Sequence, residues 1–267
     1  MKRFVANSIF WLGGTALLAA FIWPLVYSVW ISFTPSDFLE PPVSTWSLKW
    51  YRQFWDNPTW TDALWTSLRV GLWSAGLSLL LGSSLGFAAV RFPSRFQKHL
   101  NKAALLPLFV PAIVIGMGLL PVMHLTHLWG SDLSVVLAHT LVSMPISFII
   151  ILGALREFDL DLELAARGLG AGPVQSFFKV TVPLMVPSLV VSGLIAFVLS
   201  LNEFIIALFI GTPEVATLPK VIWPNLRYTL TPLVAAASSL TLVITLVSIL
   251  VIVRLLRVDK LAQKLLL

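Results

Sequence analysis

Asn202 and Glu203 are the residues whose type and position most clearly indicate chemistry. They are adjacent within a long apolar segment, where a charged side chain is costly unless it faces a protein interior or a wet cavity. Glu203 is therefore a candidate ligand for a cation. The structural alternative is a partner for a base such as Arg69, or for a group on another subunit.

Two further patterns could indicate an enzyme or a metal site. The segment Gly82–Gly86 fits the nucleophile pattern G-x-S-x-G, and His139 could act as its base. That pattern needs a strand-to-helix turn, whereas this stretch lies within an apolar helix, where small residues four apart favour helix packing. His124 and His127 could share a metal, but Asp132 is their one neighbouring carboxylate. We therefore favour neither chemistry.

The composition indicates a membrane protein. Hydrophobic residues make up 58% of the 267 residues and charged residues only 11%, where soluble domains carry about 25%. These values exclude a disordered chain, a nucleic-acid-binding domain and almost any soluble enzyme. The chain has no cysteine, which excludes disulfides, thiolate metal sites and cysteine nucleophiles.

Six segments are long and apolar enough to cross a bilayer, which takes about 20 residues each. The sequence thus predicts an all-α, polytopic membrane protein with six transmembrane helices. The first segment runs well past the length of a signal peptide's apolar region, so we interpret it as an uncleaved anchor. The predicted spans are residues 8–33, 64–92, 102–123, 133–152, 183–210 and 231–253.

The basic residues predict that both termini are cytoplasmic, since Lys and Arg concentrate in cytoplasmic loops. With that orientation, the outer side carries only Lys49, Arg52, Lys220 and Arg227. Arg69 lies within the second span. The cytoplasmic side carries Lys2, Arg3, Arg91, Arg95, Lys98, Lys102, Arg156, Arg167, Lys179, Arg254, Arg257, Lys260 and Lys264.

Three regions follow from this layout. Residues 1–33 form the cytoplasmic N-terminal end and the first span, residues 34–63 an outer connection, and residues 64–267 a five-span core. Trp46, Trp50, Trp55 and Trp60 in the connection suit the outer membrane interface. The core contains a long cytoplasmic loop at residues 153–182.

This loop predicts two short helices joined by a sharp turn. Asp159 or Asp161 can cap a first helix that ends near Ala166 or Arg167. Pro173 suits the first position of a second helix. Glycine tolerates positive φ and so permits the turn between them. The glycines concerned are Gly168, Gly170 and Gly172.

The loop resembles the cytoplasmic signature of permease subunits of bacterial binding-protein-dependent ABC importers. That signature is Glu-Ala-Ala, three residues, Gly, nine residues, Ile, one residue and Leu-Pro. Ala165, Ala166 and Gly170 match it, and the end is matched by Val180, Val182 and Pro183. The Glu position holds Leu164, whereas Glu163 stands one residue earlier, about 100° round the helix.

The resemblance implies the six-span, MetI-like permease fold of ABC importers and a coupling helix that docks on a separate ATPase. The implied partners are an ATPase dimer, a second and different permease subunit, a periplasmic substrate-binding protein and the lipid bilayer of the inner membrane. The chain has no phosphate loop, so it is expected to be no enzyme and to hold no cofactor. ATP and Mg²⁺ would bind the partner. The implied coupling residues are Glu163, Leu164, Ala165, Ala166, Arg167 and Gly170.

Residues 200–232 resemble the second permease of the spermidine/putrescine branch. The resemblance implies polyamine import by alternating access, with Asn202 and Glu203 where an acidic pair is common. Trp223 and Tyr228 could hold an ammonium group by cation–π contact, or serve as interfacial anchors. Alternative substrates in the same class are aminophosphonates, iron(III) and other small organic solutes. A secondary transporter or channel is the rival class, but it offers no role for the loop signature.

Overall fold

The computed structural model describes residues 2–42 and 45–265, with side chains for residues 11–42 and 45–256. All regular elements in these ranges are helical, which confirms the all-α prediction. The predicted orientation also uses Lys2, Arg3, Arg257, Lys260 and Lys264, whose side chains lie outside the described residues. The helices are α1 (Lys2–Ile31), α2 (Lys49–Asp56), α3 (Pro58–Arg91), α4 (Arg95–Leu105), α5 (Ala112–Leu125), α6 (Asp132–Glu157), α7 (Leu160–Gly168), α8 (Pro173–Ser176), α9 (Val182–Asn202), α10 (Ile205–Ile210), α11 (Leu218–Tyr228) and α12 (Pro232–Leu265), with a 3₁₀ turn at Leu106–Phe109 and a π-helical turn at Phe177–Thr181.

The apolar helices agree with the prediction of a polytopic membrane protein. Five stretches in the described residues are long and apolar enough to cross a bilayer, and the number is six when a bent pair of shorter helices is counted as one span. The five are Trp11–Ile31, Pro58–Arg91, Asp132–Glu157, Pro173–Asn202 and Pro232–Leu256, and the bent pair is Arg95–Phe109 with Ala112–Leu125.

The bent pair corrects the third predicted span, which was expected to be one helix over residues 102–123. The two halves meet at 109°. Val110 between them is extended, with φ −97° and ψ 127°. A residue before proline avoids the helical region for steric reasons, and Pro111 follows Val110 directly. The bend is therefore a consequence of one X-Pro step.

The fifth predicted span is also broken. α9 ends at Asn202, and Glu203 adopts an extended conformation with ψ 114° before α10 begins at Ile205. The Oε1 atom of Glu203 accepts a hydrogen bond from the backbone N–H of Ile206 at 2.8 Å. Glu203 thus lies at a helix break and not, as predicted, inside a continuous helix.

The chain divides into two compact units. One comprises Met1–Thr61 with Val221–Val243, and the other comprises Asp62–Lys220 with Ile244–Leu267. The division into residues 1–33, 34–63 and 64–267 remains a prediction.

The larger unit has its core among α3, α5, α6 and α10. The core contains the buried residues Val70, Ile115, Val135, Ile206 and Ile210. α6 also packs along α9. These contacts bury more than half of the α6 span, whereas the α1 span is almost wholly exposed. α6 is therefore the central helix of this unit.

α3 and α6 cross closely at Gly82. A Cβ atom built there would lie 2.7 Å from the backbone N of Phe148 and 2.8 Å from the Cβ of Ser147. The hydroxyl of Ser84 donates to the carbonyl of Leu80 at 2.7 Å. The Nδ1 atom of His139 lies 2.7 Å from Oγ of Ser200, so the structure supports the packing interpretation of the G-x-S-x-G segment.

In the smaller unit, α2 packs against the preceding loop. Trp50 donates from Nε1 to the carbonyl of Ser36 at 3.2 Å. Trp50 and Trp60 are buried, whereas Trp46 and Trp55 are exposed. Two of the four tryptophans thus pack within the chain, and the location of this connection at the outer membrane interface stays a prediction.

Candidate functional site

The loop between α6 and α9 forms a compact elbow, residues 160–181. Asp159 caps α7 by accepting the N–H of Asp161 at 2.9 Å, as predicted. Gly170 has φ +93° and makes the turn, and Pro173 begins α8. Gly168 and Gly172 were also expected to supply positive φ, but Gly170 is the one elbow glycine in that region.

Glu163 lies at the centre of the elbow and is only 3% exposed. Its carboxylate accepts hydrogen bonds from both terminal nitrogens of Arg91, one of them with Nη1–Oε1 2.9 Å. Arg167 Nη2 donates to Oε1 at 2.7 Å, and Thr181 Oγ1 donates to Oε2 at 2.8 Å. We call these four residues the clip, because they connect the end of α3, the helix α7 and the turn before α9.

The clip holds Glu163 ionised. Hydrogen bonds from Arg91, opposed by burial and reinforced by Thr181 and Arg167, lower the pKa of Glu163 from 4.5 to about 2. A buried charge is tolerated when its partners replace the lost water contacts. Here two guanidinium groups and a hydroxyl do so, and the side chains of Arg91 and Arg167 remain 23% and 40% exposed.

Aromatic contacts brace the same junction. The ring of Phe177 meets that of Phe87 edge-on, with centroids 5.0 Å apart. The guanidinium carbon of Arg91 lies 5.6 Å from the Phe177 ring centroid. Such contacts add to the area that the rings bury. The elbow is therefore attached to α3 by both ionic and apolar contacts.

The opposite side of the elbow is exposed and apolar. Leu164 is 58% exposed and Leu169 is 91% exposed. An open concavity of about 330 Å³ lies between the end of α7 and α8 and is lined by Ala166, Leu169, Gly170, Ala171, Gln175, Ser176, Lys179 and Val180. Exposed apolar surface around a concavity is typical of protein interaction sites.

The six predicted coupling residues therefore separate into two groups. Glu163 and Arg167 are paired with each other and with the rest of the clip. Leu164, Ala165 and Gly170 are exposed, and Ala166 is half-buried. The one-residue shift from Leu164 to Glu163 thus moves the acid from the exposed side to the side that faces its own chain.

Glu203 and Asn202 lie together at the break between α9 and α10. Asn202 is exposed and donates from Nδ2 to the carbonyl of Val198 at 2.8 Å. Glu203 uses Oε1 to cap α10, and in the described part of the chain Oε2 has no hydrogen-bond partner. One carboxylate oxygen is therefore free to accept a bond from a ligand.

Arg69 is not the partner of Glu203. Its Nε lies 2.5 Å from Oδ2 of Asp132 at the start of α6. Asp132 is also the carboxylate near His124 and His127, and this ion pair occupies it. The ring of His124 stacks on Trp129 with centroids 4.5 Å apart. The described residues contain no cluster of three potential metal ligands.

Trp223 and Tyr228 belong to the smaller unit, whereas Glu203 belongs to the larger one. Both lie on α11, Trp223 42% exposed and Tyr228 75% exposed. The guanidinium carbon of Arg227 lies 5.5 Å from the Tyr228 ring centroid, so one face of that ring already carries a cation.

The sequence reading missed Arg91 and Thr181. Arg91 was counted only among the cytoplasmic charges, and Thr181 only as the variable position of the signature. Arg91 stands 72 residues before Glu163, so neither periodicity nor spacing could pair them. The usable signal was charge, because Arg91 and Glu163 are opposite charges on the same predicted side of the membrane and could therefore attract each other.

The chain is similar to known permease components over most of its length. The family of binding-protein-dependent transport system inner membrane components matches residues 78–258. Putrescine transport system permease protein PotI of Escherichia coli K12 is 31% identical over 86% of this chain and 83% of its own length. Spermidine/putrescine permease PotC of the same strain is 25% identical over 88% and 89%. Molybdenum permease ModB of Mycobacterium bovis is 35% identical over 72% and 79%.

Solved transporters share the fold. A chain of the bacterial alginate ABC transporter, crystallised with its alginate-bound periplasmic protein, superposes with a TM-score of 0.65 at 13% identity over 96% of each chain. The methionine ABC transporter MetNI in an inward-facing conformation gives 0.56 at 17% identity, over 79% of this chain and 96% of that chain. The extent of the family match and the helical arrangement agree: this chain belongs to the inner membrane components of binding-protein-dependent transport systems, the permease subunits of ABC importers.

Proposed function

We propose that this permease imports a polyamine such as putrescine or spermidine by alternating access, driven by a separate ATPase. The observation that carries the proposal is the elbow, which presents an apolar, concave side outward while the clip attaches its other side to α3. A partner that moves the elbow would move α3 as well.

The proposed assembly contains this chain, a second permease subunit, an ATPase dimer and a periplasmic substrate-binding protein. ATP and Mg²⁺ would bind the ATPase, and both termini of this chain would be cytoplasmic. ATP binding favours one pore state by holding the elbows in one arrangement. The energy enters as a difference in affinity for two states, as any ligand-driven switch requires. The elbow would contact the ATPase through Leu164, Ala165, Ala166 and Gly170, and Glu163 with Arg167 would hold it in place.

A cationic substrate is supported by Glu203 and by the two polyamine relatives. The free Oε2 of Glu203 can accept a hydrogen bond from an ammonium group, and such charge-assisted bonds are strong ones. Asn202 lies beside it. Trp223 and Tyr228 stay predictions as aromatic ligands of an ammonium group. The molybdenum relative makes an oxyanion the competing substrate, and a carboxylate on the path disfavours an anion through repulsion.

Uptake by the reconstituted importer tests this proposal. Radiolabelled putrescine is supplied with the cognate binding protein, and spermidine, iron(III), an aminophosphonate and molybdate are added as competitors. Competition by spermidine alone supports the polyamine assignment. Competition by molybdate or an aminophosphonate would contradict it while leaving the importer class intact.

A variant of Glu203 tests the path. Glu203→Gln keeps an oxygen that can cap α10 but loses the charge, so we expect slower putrescine uptake with normal assembly. Glu214→Gln is the matched control, because Glu214 is an exposed acid on the loop that follows α10. Equal uptake by both variants would remove Glu203 from the substrate path.

A further inference from the structure

Helix α4 lies across the direction of α5. Ser94 caps its start by accepting the N–H of Gln97 at 3.0 Å, and Gln97 and Ala104 are its buried residues. The segment that contains α4 meets α5 at 109°. Two segments that meet at this angle cannot both run along the membrane normal. α5 carries no Asp, Glu, Lys or Arg, whereas α4 carries three basic residues, so α5 is the half that enters the bilayer and α4 runs closer to the membrane plane.

One side of α4 carries a strip of unpaired cations. Arg95, Lys98 and Lys102 are spaced i, i+3 and i+7, which places them within about 60° of arc on a helix. All three are exposed, and in the described part of the chain none forms an ion pair. No Asp or Glu occurs between Arg91 and Asp132. We call these three residues the basic strip.

A second exposed side of α4 is apolar. Phe96 and Leu100 stand four residues apart on this side and are 71% and 37% exposed, and Phe92, in the turn before the helix, is 74% exposed. The positions of Phe96 and Leu100 are about 130–170° round the helix from the middle of the basic strip. α4 thus has a buried side, an apolar side and a cationic side. That division is typical of helices that lie in the membrane interface.

We propose that α4 is an interfacial helix that binds anionic phospholipid headgroups through the basic strip, with Phe92 and Phe96 among the acyl chains. The occupant follows from charge and position. Three cations without acidic neighbours complement phosphate, and the apolar side requires hydrocarbon beside it. A soluble acidic protein would satisfy the cations but would leave the phenylalanines in water. Because α4 begins four residues after Arg91, the bound lipid lies beside the clip.

The proposal is tested by lipid retention. The full chain is placed in nanodiscs of equal amounts of phosphatidylcholine and phosphatidylglycerol, released and weighed by native mass spectrometry. We expect enrichment of phosphatidylglycerol on the wild-type chain. Lys98→Gln/Lys102→Gln should lower the affinity of the chain for phosphatidylglycerol, relative to phosphatidylcholine, about 30-fold. This factor corresponds to the loss of two basic residues at an anionic surface. Arg156→Gln/Arg254→Gln removes two exposed charges elsewhere and should retain the enrichment.

A second readout measures the depth of α4. The chain has no native cysteine, so Phe96→Cys and His99→Cys each accept a single spin label. The label at position 96 should be reached by oxygen and the label at position 99 by a water-soluble nickel complex. Equal lipid enrichment in the two double variants overturns the proposal. So does nickel access at position 96, or a strip variant that loses ATPase binding while retaining phosphatidylglycerol.

Discussion

The clip predicts that removing one charge from Glu163 loosens the whole elbow. Glu163→Gln keeps the shape of the side chain but leaves Arg91 and Arg167 without their shared counter-charge. Breaking a buried ion pair by removing one partner costs about 3–5 kcal/mol. The exposure of the two arginine side chains, 23% and 40%, lowers the expected cost to about 2–3 kcal/mol.

Hydrogen exchange reads this loss directly. A fall of about 2–3 kcal/mol in the free energy of local opening raises the exchange rate of elbow amides about 30- to 150-fold. The measurement follows amides of residues 160–181 in the reconstituted chain. Glu157→Gln makes the same chemical change at the exposed end of α6 and should leave the exchange rates of these amides unchanged. Similar exchange in both variants would refute the clip as the attachment of the elbow to α3.

Three further predictions test other parts of the structure. The pKa of Glu163 is lowered from 4.5 to about 2. The protection of elbow amides against hydrogen exchange should therefore be constant above pH 4.5 and fall as the pH drops from 4.5 toward 2, which exchange measured at several pH values would show. Gly82→Ala should destabilise the α3–α6 crossing by about 1–3 kcal/mol, whereas Gly76→Ala, with open space at its Cβ, should not, and thermal unfolding compares the two. Gly170→Ala should cost about 1–2 kcal/mol of stability, because Gly170 has a positive φ. Gly172→Ala should cost less, because Gly172 has φ −65°; equal unfolding temperatures of the two variants would contradict this.

Sequence patterns predicted the parts of the fold that depend on local chemistry. The six apolar segments follow from hydropathy, because the bilayer requires long apolar helices. The cap at Asp159 and the turn at Gly170 follow from side-chain and backbone preferences of single residues. These features need no knowledge of distant parts of the chain.

The missed features depend on contacts distant in sequence or on single backbone steps. The bend at Val110 was encoded by Pro111, but an average over an apolar window conceals it. The break at Glu203 lacks a proline or glycine and depends on a carboxylate that caps the next helix. The sequence of α7 does not show that Glu163 is buried. Helical periodicity tells which residues share a side of the helix, but not which side packs against the rest of the chain. Arg91, a residue of another helix, decides that.

Contact between the elbow and the ATPase is the most direct test of the account. The measurement is photocrosslinking from position 169 in the assembled importer, since Leu169 is 91% exposed at the tip of the elbow. We expect a crosslink from position 169 to the ATPase subunit and none from a probe at position 129, where Trp129 lies in the loop between α5 and α6. A probe at position 169 that captures only lipid, or nothing, would contradict the account.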